Sequence, residues 1–324
     1  MKKYFAIFES KPQLEPSPQL SDIQSNYESL HLISPASMAQ HLYSLWFLNL
    51  SDLKTIVGPS TTSSTVIALF AHRFHLPPSS PISIAGRVPL AVFWCWINLL
   101  PFAISNQCQP GAIREDLLNK PWRPLPSKRL SPSQARVWMS TLYPLAVCVS
   151  AFLGGLKQSL ALICFGHCYN DRGGANVNFL VRNIINAAGF ISFAFGATDV
   201  LLGSFVPLAM SLARWFATIG FVVVTTVQVQ DMTDQAGDDV RERHILPLTI
   251  GNGVARWVIA CAVLTWSWLC PWLWAAENLG YIGPIALGGS IAVRTLAFRS
   301  VNSDKTTFRL WNAWMVSLYI LPLF

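Results

Sequence analysis

The stretch VQVQDMTDQAGDDVRERHILPL, Val227–Leu248, follows about twenty apolar residues and runs into another apolar segment. It nevertheless carries four aspartates, a glutamate and two arginines. The chain around it has 324 residues, 52% hydrophobic and 12% charged, with a mean hydropathy of +0.41. Soluble domains carry roughly 25% charged residues, about twice as many. The composition therefore predicts a polytopic membrane protein, and thirteen tryptophans suit one, since Trp gathers at bilayer interfaces and in apolar cavities. Carboxylates at the mouth of two oily segments call for a chemical reason.

A crossing helix needs about 20 apolar residues. On that measure nine segments qualify, near 41–70, 88–106, 134–154, 156–170, 178–202, 206–230, 245–268, 275–298 and 306–323. The first contains Pro59 and is expected to kink or to split into two half-helices. The polar, Pro- and Ser-rich residues 1–38 read as a poorly ordered tail without a signal-peptide core, leaving 39–324 as the membrane domain. The seven cysteines are scattered without a CxxC pair, so no disulfide framework is implied. Cys164, His167 and Cys168 lie a helical turn apart, but packing between helices is the better reading of them.

A second polar connection, NQCQPGAIREDLLNKPWRPLPSKRLSPSQAR over 106–136, joins the second and third segments. The opening stretch joins the sixth and seventh, a corresponding place in the next block of four. Both connections, with those between segments 4–5 and 8–9, hold most of the loop Lys and Arg; the alternate side has only Arg73, Arg87 and Lys157. The bias puts both acidic connections and the N-terminus on the cytosolic side.

If the sixth helix continues, Asp231, Asp234 and Asp238 fall within about 60° on one face. Three carboxylates so placed repel one another unless cations sit among them. Hard oxygen ligands suit Mg²⁺, which commonly joins one or two carboxylates to substrate phosphates. Arg241 and Arg243 stand by as anion partners, and Gly237 permits close approach to the backbone. The first connection has the same grammar: Glu115 and Asp116, then Asn119, Lys120 and Arg123. Acid for metal and base for phosphate, supplied twice, reads as a site for a diphosphate bridged by Mg²⁺. Solvated, charged topogenic loops are the alternative, and the pairing on one side weighs against it. Polar residues within the apolar segments are costly and face cavities; Lys54, Arg172, Asn183 and Asn186, with Tyr169 beside Arg172, are the cavity candidates. Arg214 and Arg256 suit snorkelling or structural pairing as well.

Asn106, then Arg123-Pro124-Leu125-Pro126, together with Asp231-x-x-Asp234-x-x-Gly237-Asp238 and Leu246-Pro247, resemble the two aspartate-rich motifs of the UbiA superfamily of intramembrane prenyltransferases. The first motif departs from the family's NDxxDxxxD: the matching positions after Asn106 are Gln107, Pro110 and Arg114, and only Glu115-Asp116 remains acidic. This form is similar to the fungal branch that includes membrane-bound terpene cyclases. The resemblance implies an all-α protein of nine transmembrane helices around a central apolar cavity, capped by cytosolic motif loops in the endoplasmic reticulum membrane. It implies a Mg²⁺-dependent carbon–oxygen lyase that ionises farnesyl or geranylgeranyl diphosphate and cyclises the cation, with Asp116, Asp231, Asp234 and Asp238 catalytic. Glu115 joins these four around the metal. Asn106, Asn119, Lys120, Arg123, Arg172, Arg241, Arg243 and Lys54 would bind diphosphate; Tyr169, Asn183 and Asn186 would line the cavity. Nothing points to nucleic acid or to an obligate protein partner.

The allylic cation needs a dry cavity with aromatic faces. Trp46, Phe93, Trp94, Trp96, Trp138, Phe193, Phe195, Trp215 and Trp257 lie within the apolar segments and form the group from which such faces are drawn. An aromatic prenyltransferase, joining the same diphosphate to a phenolic or polyketide acceptor, is the main rival; it would need an acceptor pocket and an intact first motif. A secondary transporter would want its charges near the midplane, not two acid–base clusters at one boundary.

Overall fold

The computed structural model describes residues 35–109, 111–203 and 206–324. The chain divides into two compact units, Met1–Tyr43 and Ser44–Phe324, and the second holds the helical bundle. Of the tail expected over residues 1–38, residues 1–34 lie outside the described residues, and helix α1 (Pro35–Asn49) begins at Pro35.

Among the described residues there are helices and no strands. After α1 come α2 (Gly58–Leu69), α3 (Pro81–Gln107), the short α4 (Ala112–Asn119), α5 (Pro132–Leu153), α6 (Leu156–Asn170), α7 (Phe179–Leu202), α8 (Met210–Thr226), α9 (Asp231–Val240), α10 (Asn252–Leu273), α11 (Asn278–Ala297) and α12 (Val301–Tyr319). Among the described residues six stretches are long and apolar enough to cross a membrane: α3, α5, α7, α8 with its 3₁₀ extension to Val229, α10 and α11. The other expected crossings are shorter or more polar: α2 has 12 residues, α6 has 15, and α12 carries Asp304, Lys305 and Arg309. The first apolar segment is divided into two helices, one of the two expected forms, but the division lies ahead of Pro59. It breaks at Leu50–Asp52, passes through a π-helical turn at Leu53–Val57, and restarts with Pro59 in the first turn of α2.

Helix α7 is the hub, packed against α2, α3, α6 and α8. Close approach needs small residues: the Trp94 ring of α3 lies where a Cβ on Gly196 of α7 would stand, and Ser64 Oγ of α2 donates to the Ala194 carbonyl at 2.7 Å. A second group joins α12 to its neighbours through polar pairs. Trp311 Nε1 donates to Thr226 Oγ1 at 3.0 Å, Trp314 Nε1 to Ser267 Oγ at 2.9 Å, and Arg256 forks onto Asp304 at 2.9 and 2.7 Å. A bilayer offers no water to such groups, so they must satisfy one another. Arg256 is thus a structural pairing. All seven cysteines are free thiols, and His167 is engaged by Asp171 at 2.8 Å. The arrangement leaves the two short helices α4 and α9 packed together at one end of the bundle.

Candidate active site

The two acidic stretches, more than a hundred residues apart in sequence, meet where α4 packs on α9. Gly237 makes the contact possible, because a Cβ there would collide with the Asn119 side chain. Asn119 Nδ2 instead donates to the Asp234 carbonyl at 3.0 Å. The spacing of Asp231, Asp234 and Asp238 does place them on one helix, and the buried Asp231 and Asp238 face the bundle.

Every acid of the two motifs has a cation. Arg123 Nη1 reaches both oxygens of Asp116, at 2.9 and 3.0 Å, and its Nη2 donates to Ser51 Oγ at 3.2 Å. Lys120 Nζ lies 3.0 Å from Asp234, Arg182 Nη1 2.7 Å from Asp231, and Arg243 Nη1 3.1 Å from Asp238. Glu115 is shared by Arg241 at 2.8 Å and Arg243 at 3.2 Å. Three of these links cross between the motifs: Lys120 to Asp234, and Arg241 and Arg243 to Glu115. The interlocked acids and bases form one charged cluster.

The cluster sets five carboxylates against five cations, and burial still penalises the acids. Burial raises the pKa of Asp116 and of Asp231 in spite of the neighbouring arginines, and it pushes Asp238 up to about 7. Asp234 goes the other way: burial would raise it, but the Lys120 charge and hydrogen bonds from Lys120 and Thr233 outweigh burial and hold it below the ordinary range. Asp231 Oδ2 and Asp238 Oδ2 are buried with no hydrogen-bond partner. An orphaned carboxylate oxygen in a dry site is costly. Among the described residues no three His, Cys, Asp or Glu side chains stand as a ready-made metal cage. Mg²⁺ does not require one, since it keeps waters and takes phosphate oxygens beside one or two carboxylates. Two unpartnered hard oxygens, buried side by side with the paired acids, therefore fit that ion.

Beneath the cluster lies a cavity with about 1190 Å³ of empty space, its open mouth included. Glu115, Lys120, Arg123, Asp234 and Arg243 edge it, and Leu99, Phe102, Leu162, Phe165, Phe190 and Phe193 line its apolar part. Of the nine aromatics named from the sequence, only Phe193 reaches this lining. Trp94 is packed against glycines of the neighbouring helices, and Trp257 is 61% exposed on the outer surface. The cavity's aromatics are one tyrosine and four phenylalanines, with no tryptophan among them.

The other expected residues separate. Asn106, Tyr169 and Asn186 line the cavity. Asn183 does not; it is buried and ties α7 to α8, donating to the Val224 carbonyl at 2.9 Å and to Gln228 Oε1 at 2.8 Å. Arg241 supports Glu115 from outside the lining, and Lys54 and Asn119 edge a neighbouring pocket. Arg172 is exposed just past the end of α6, away from the cavity lining. Its place is taken by Arg182, one turn into α7, which lines the cavity, pairs with Asp231 and donates from Nε to Tyr169 Oη at 3.3 Å. A lone arginine entering an apolar helix after the Asn178 cap was the available signal. Asp52 and Gln230 also face the cavity, Asp52 because the π-helical turn follows it directly.

The family model that describes the UbiA prenyltransferase family matches residues 88–318. The chain is 27% identical over 287 residues to the fumagillin beta-trans-bergamotene synthase of Aspergillus fumigatus, covering 87% of this chain and 92% of that one. It is 28% identical over 291 residues to the somaliensene A/B synthase of Streptomyces somaliensis, covering 85% and 92%. Its fold is similar to that of a UbiA homologue from Archaeoglobus fulgidus solved with DMAPP and Mg²⁺, with a TM-score of 0.51 at 15% identity, over 83% of this chain and 96% of the other. With the model matching more than half of its residues, this chain is a member of the UbiA prenyltransferase family.

Proposed function

We propose that this UbiA-family enzyme, which uses a prenyl diphosphate, is a membrane-bound terpene cyclase that acts on farnesyl or geranylgeranyl diphosphate without an acceptor. The observation that carries the reading is vertical order: a buried acid–base cluster at the mouth, and below it a cavity walled by aliphatic and aromatic side chains. Extensive likeness to two proteins named as terpene synthases supports it.

In this reading Asp231, Asp234 and Asp238, with Glu115 and Asp116, hold Mg²⁺, and Lys120, Arg123 and Arg243 face the diphosphate beside Asn106. Bound Mg²⁺ supplies charge for the departing diphosphate. Arg182, anchored on Asp231, adds a fixed positive charge where the leaving group gathers negative charge. The C–O bond breaks with its electron pair on the diphosphate, leaving an allylic cation on the prenyl chain. That chain lies against Phe102, Phe165, Phe190 and Phe193, whose faces stabilise a desolvated cation by up to about 2 kcal/mol each. The same walls exclude the water that would quench it. Intramolecular attack by an alkene closes the ring, and proton loss or water capture ends the reaction.

The reading includes nine crossings, with α2, α6 and α12 completing the six long ones, in the endoplasmic reticulum membrane. Lys and Arg bias supports a cytosolic mouth and N-terminus. Purified protein given Mg²⁺ and one prenyl diphosphate at a time should release a cyclic hydrocarbon or alcohol, detected by gas chromatography–mass spectrometry. Diphosphate consumption that requires an added phenolic or polyketide acceptor would replace the cyclase by an aromatic prenyltransferase.

A further inference from the structure

Beside the cavity a second pocket opens between the π-helical turn Leu53–Val57 and the first turns of α12. Lys54, Lys120, Lys305 and Arg309 line it against two acids, Asp52 and Asp234. Lys305 and Arg309 are four residues apart on α12 and so rise from one face.

These cations lack acids to answer them. Asp304, the residue before Lys305, is already held by Arg256 at 2.7 Å, and Asp234 by Lys120 at 3.0 Å. Among the described residues no carboxylate forms an ion pair with Lys54, Lys305 or Arg309. Lys54 Nζ rests instead 5.8 Å from the centre of the Phe308 ring. Arg309 and Lys120 both repel it, while Asp52 attracts it. Like charges crowded into one concavity raise its potential and draw in an anion. Among the neutral side chains there, the Thr55 hydroxyl and the second amide hydrogen of Asn119 offer donors, the complement of phosphate oxygens.

We propose that this pocket is a second anion subsite, which takes a phosphate or diphosphate group through Lys305, Arg309 and Lys54, next to the metal cluster and sharing Lys120 with it. It rests on the proposed function only in the identity of that neighbour. The group has two sources, free inorganic diphosphate leaving the cluster or the headgroup of an anionic phospholipid at the bilayer rim.

The test is equilibrium binding of radiolabelled inorganic diphosphate, with Mg²⁺, to the protein in neutral phosphatidylcholine nanodiscs. Wild type should bind two diphosphates per chain, Lys305→Gln/Arg309→Gln one, and the charge-keeping Lys305→Arg/Arg309→Lys two. The site that survives in the glutamine variant shows that its fold is intact. Equal stoichiometry in wild type and the glutamine variant overturns the subsite. One diphosphate in wild type and none in the glutamine variant, restored by the charge-keeping variant, upholds the subsite and removes the neighbouring diphosphate site. Nanodiscs containing phosphatidylglycerol separate the sources: loss of the second diphosphate from wild type identifies the headgroup as occupant, and its retention identifies free diphosphate.

Discussion

Lys120 Nζ lies 3.0 Å from Asp234 Oδ2, directly linking the end of α4 to α9. With the Asn119 bond to the Asp234 carbonyl and the two arginines on Glu115, it makes the motifs one object. Lys120→Met and Asp234→Asn are each expected to lower kcat by about 10²–10³-fold, as removal of one preorganised charge-stabilising group does. Because the residues act as a pair, the double variant should fall well short of the product of the single losses. Diphosphate release by the three variants measures this. Full turnover in both Asp234→Asn and Asp238→Asn removes the metal-site reading.

Arg182 and Arg172 should behave oppositely. Arg182 is buried on Asp231, and its removal leaves that carboxylate unpaired in a dry site. Arg182→Gln is expected to cost about 3–5 kcal/mol of stability, seen as early thermal unfolding in detergent, together with loss of turnover. Arg172 is exposed and outside the cavity lining, so Arg172→Gln should change stability by no more than about 0.5 kcal/mol. It should also keep kcat/KM within about twofold. An Arg172→Gln enzyme unable to bind diphosphate would return that residue to the site.

Much of the architecture was legible in the residues. The period of Asp231, Asp234 and Asp238 announced a helix with an acidic face, and the paired acids and bases announced that two distant loops meet. Hydropathy located the long helices, because a bilayer demands uninterrupted apolar length. What stayed hidden depends on packing. Phe165 and Phe190 line the cavity while Trp94 and Trp257 do not, and the sequence treats all four simply as aromatics in apolar runs. The position of the break, Leu50–Asp52, was hidden for a similar reason, since Pro59 is the stronger local signal yet lies in the first turn of α2. Arg172 and Arg182 are ten positions apart, and only the folded chain shows that Arg182, on α7, is the one that meets Asp231.

Arg256 and Asp304 show charge used for architecture. Both are buried, and the guanidinium also donates to the Thr295 carbonyl at 2.8 Å. Arg256→Met should destabilise the protein by about 3–5 kcal/mol through the stranded carboxylate, and adding Asp304→Leu should recover much of the loss. Neither residue lines the cavity, so KM for the prenyl diphosphate in the surviving fraction should not move. Thermal unfolding of the single and double variants checks the first expectation, and initial rates check the second.

Gly189 gives control over substrate length. It lines the cavity from α7, and a Cβ built on it meets nothing within 4 Å, unlike Gly237 or Gly196. A larger side chain there enters empty space instead of a neighbouring helix, and Leu favours a helix interior over Gly by nearly 1 kcal/mol. Gly189→Leu should therefore fold at least as well as wild type while shortening the room for the prenyl chain. Misfit groups in apolar pockets cost about 1–3 kcal/mol apiece, so kcat/KM for geranylgeranyl diphosphate should fall at least about tenfold relative to farnesyl diphosphate. Competition between the two substrates, read by gas chromatography, measures the ratio. An unchanged ratio in a well-folded Gly189→Leu enzyme would mean that the prenyl chain does not pass Gly189, and the cavity would lose its place as the hydrocarbon site.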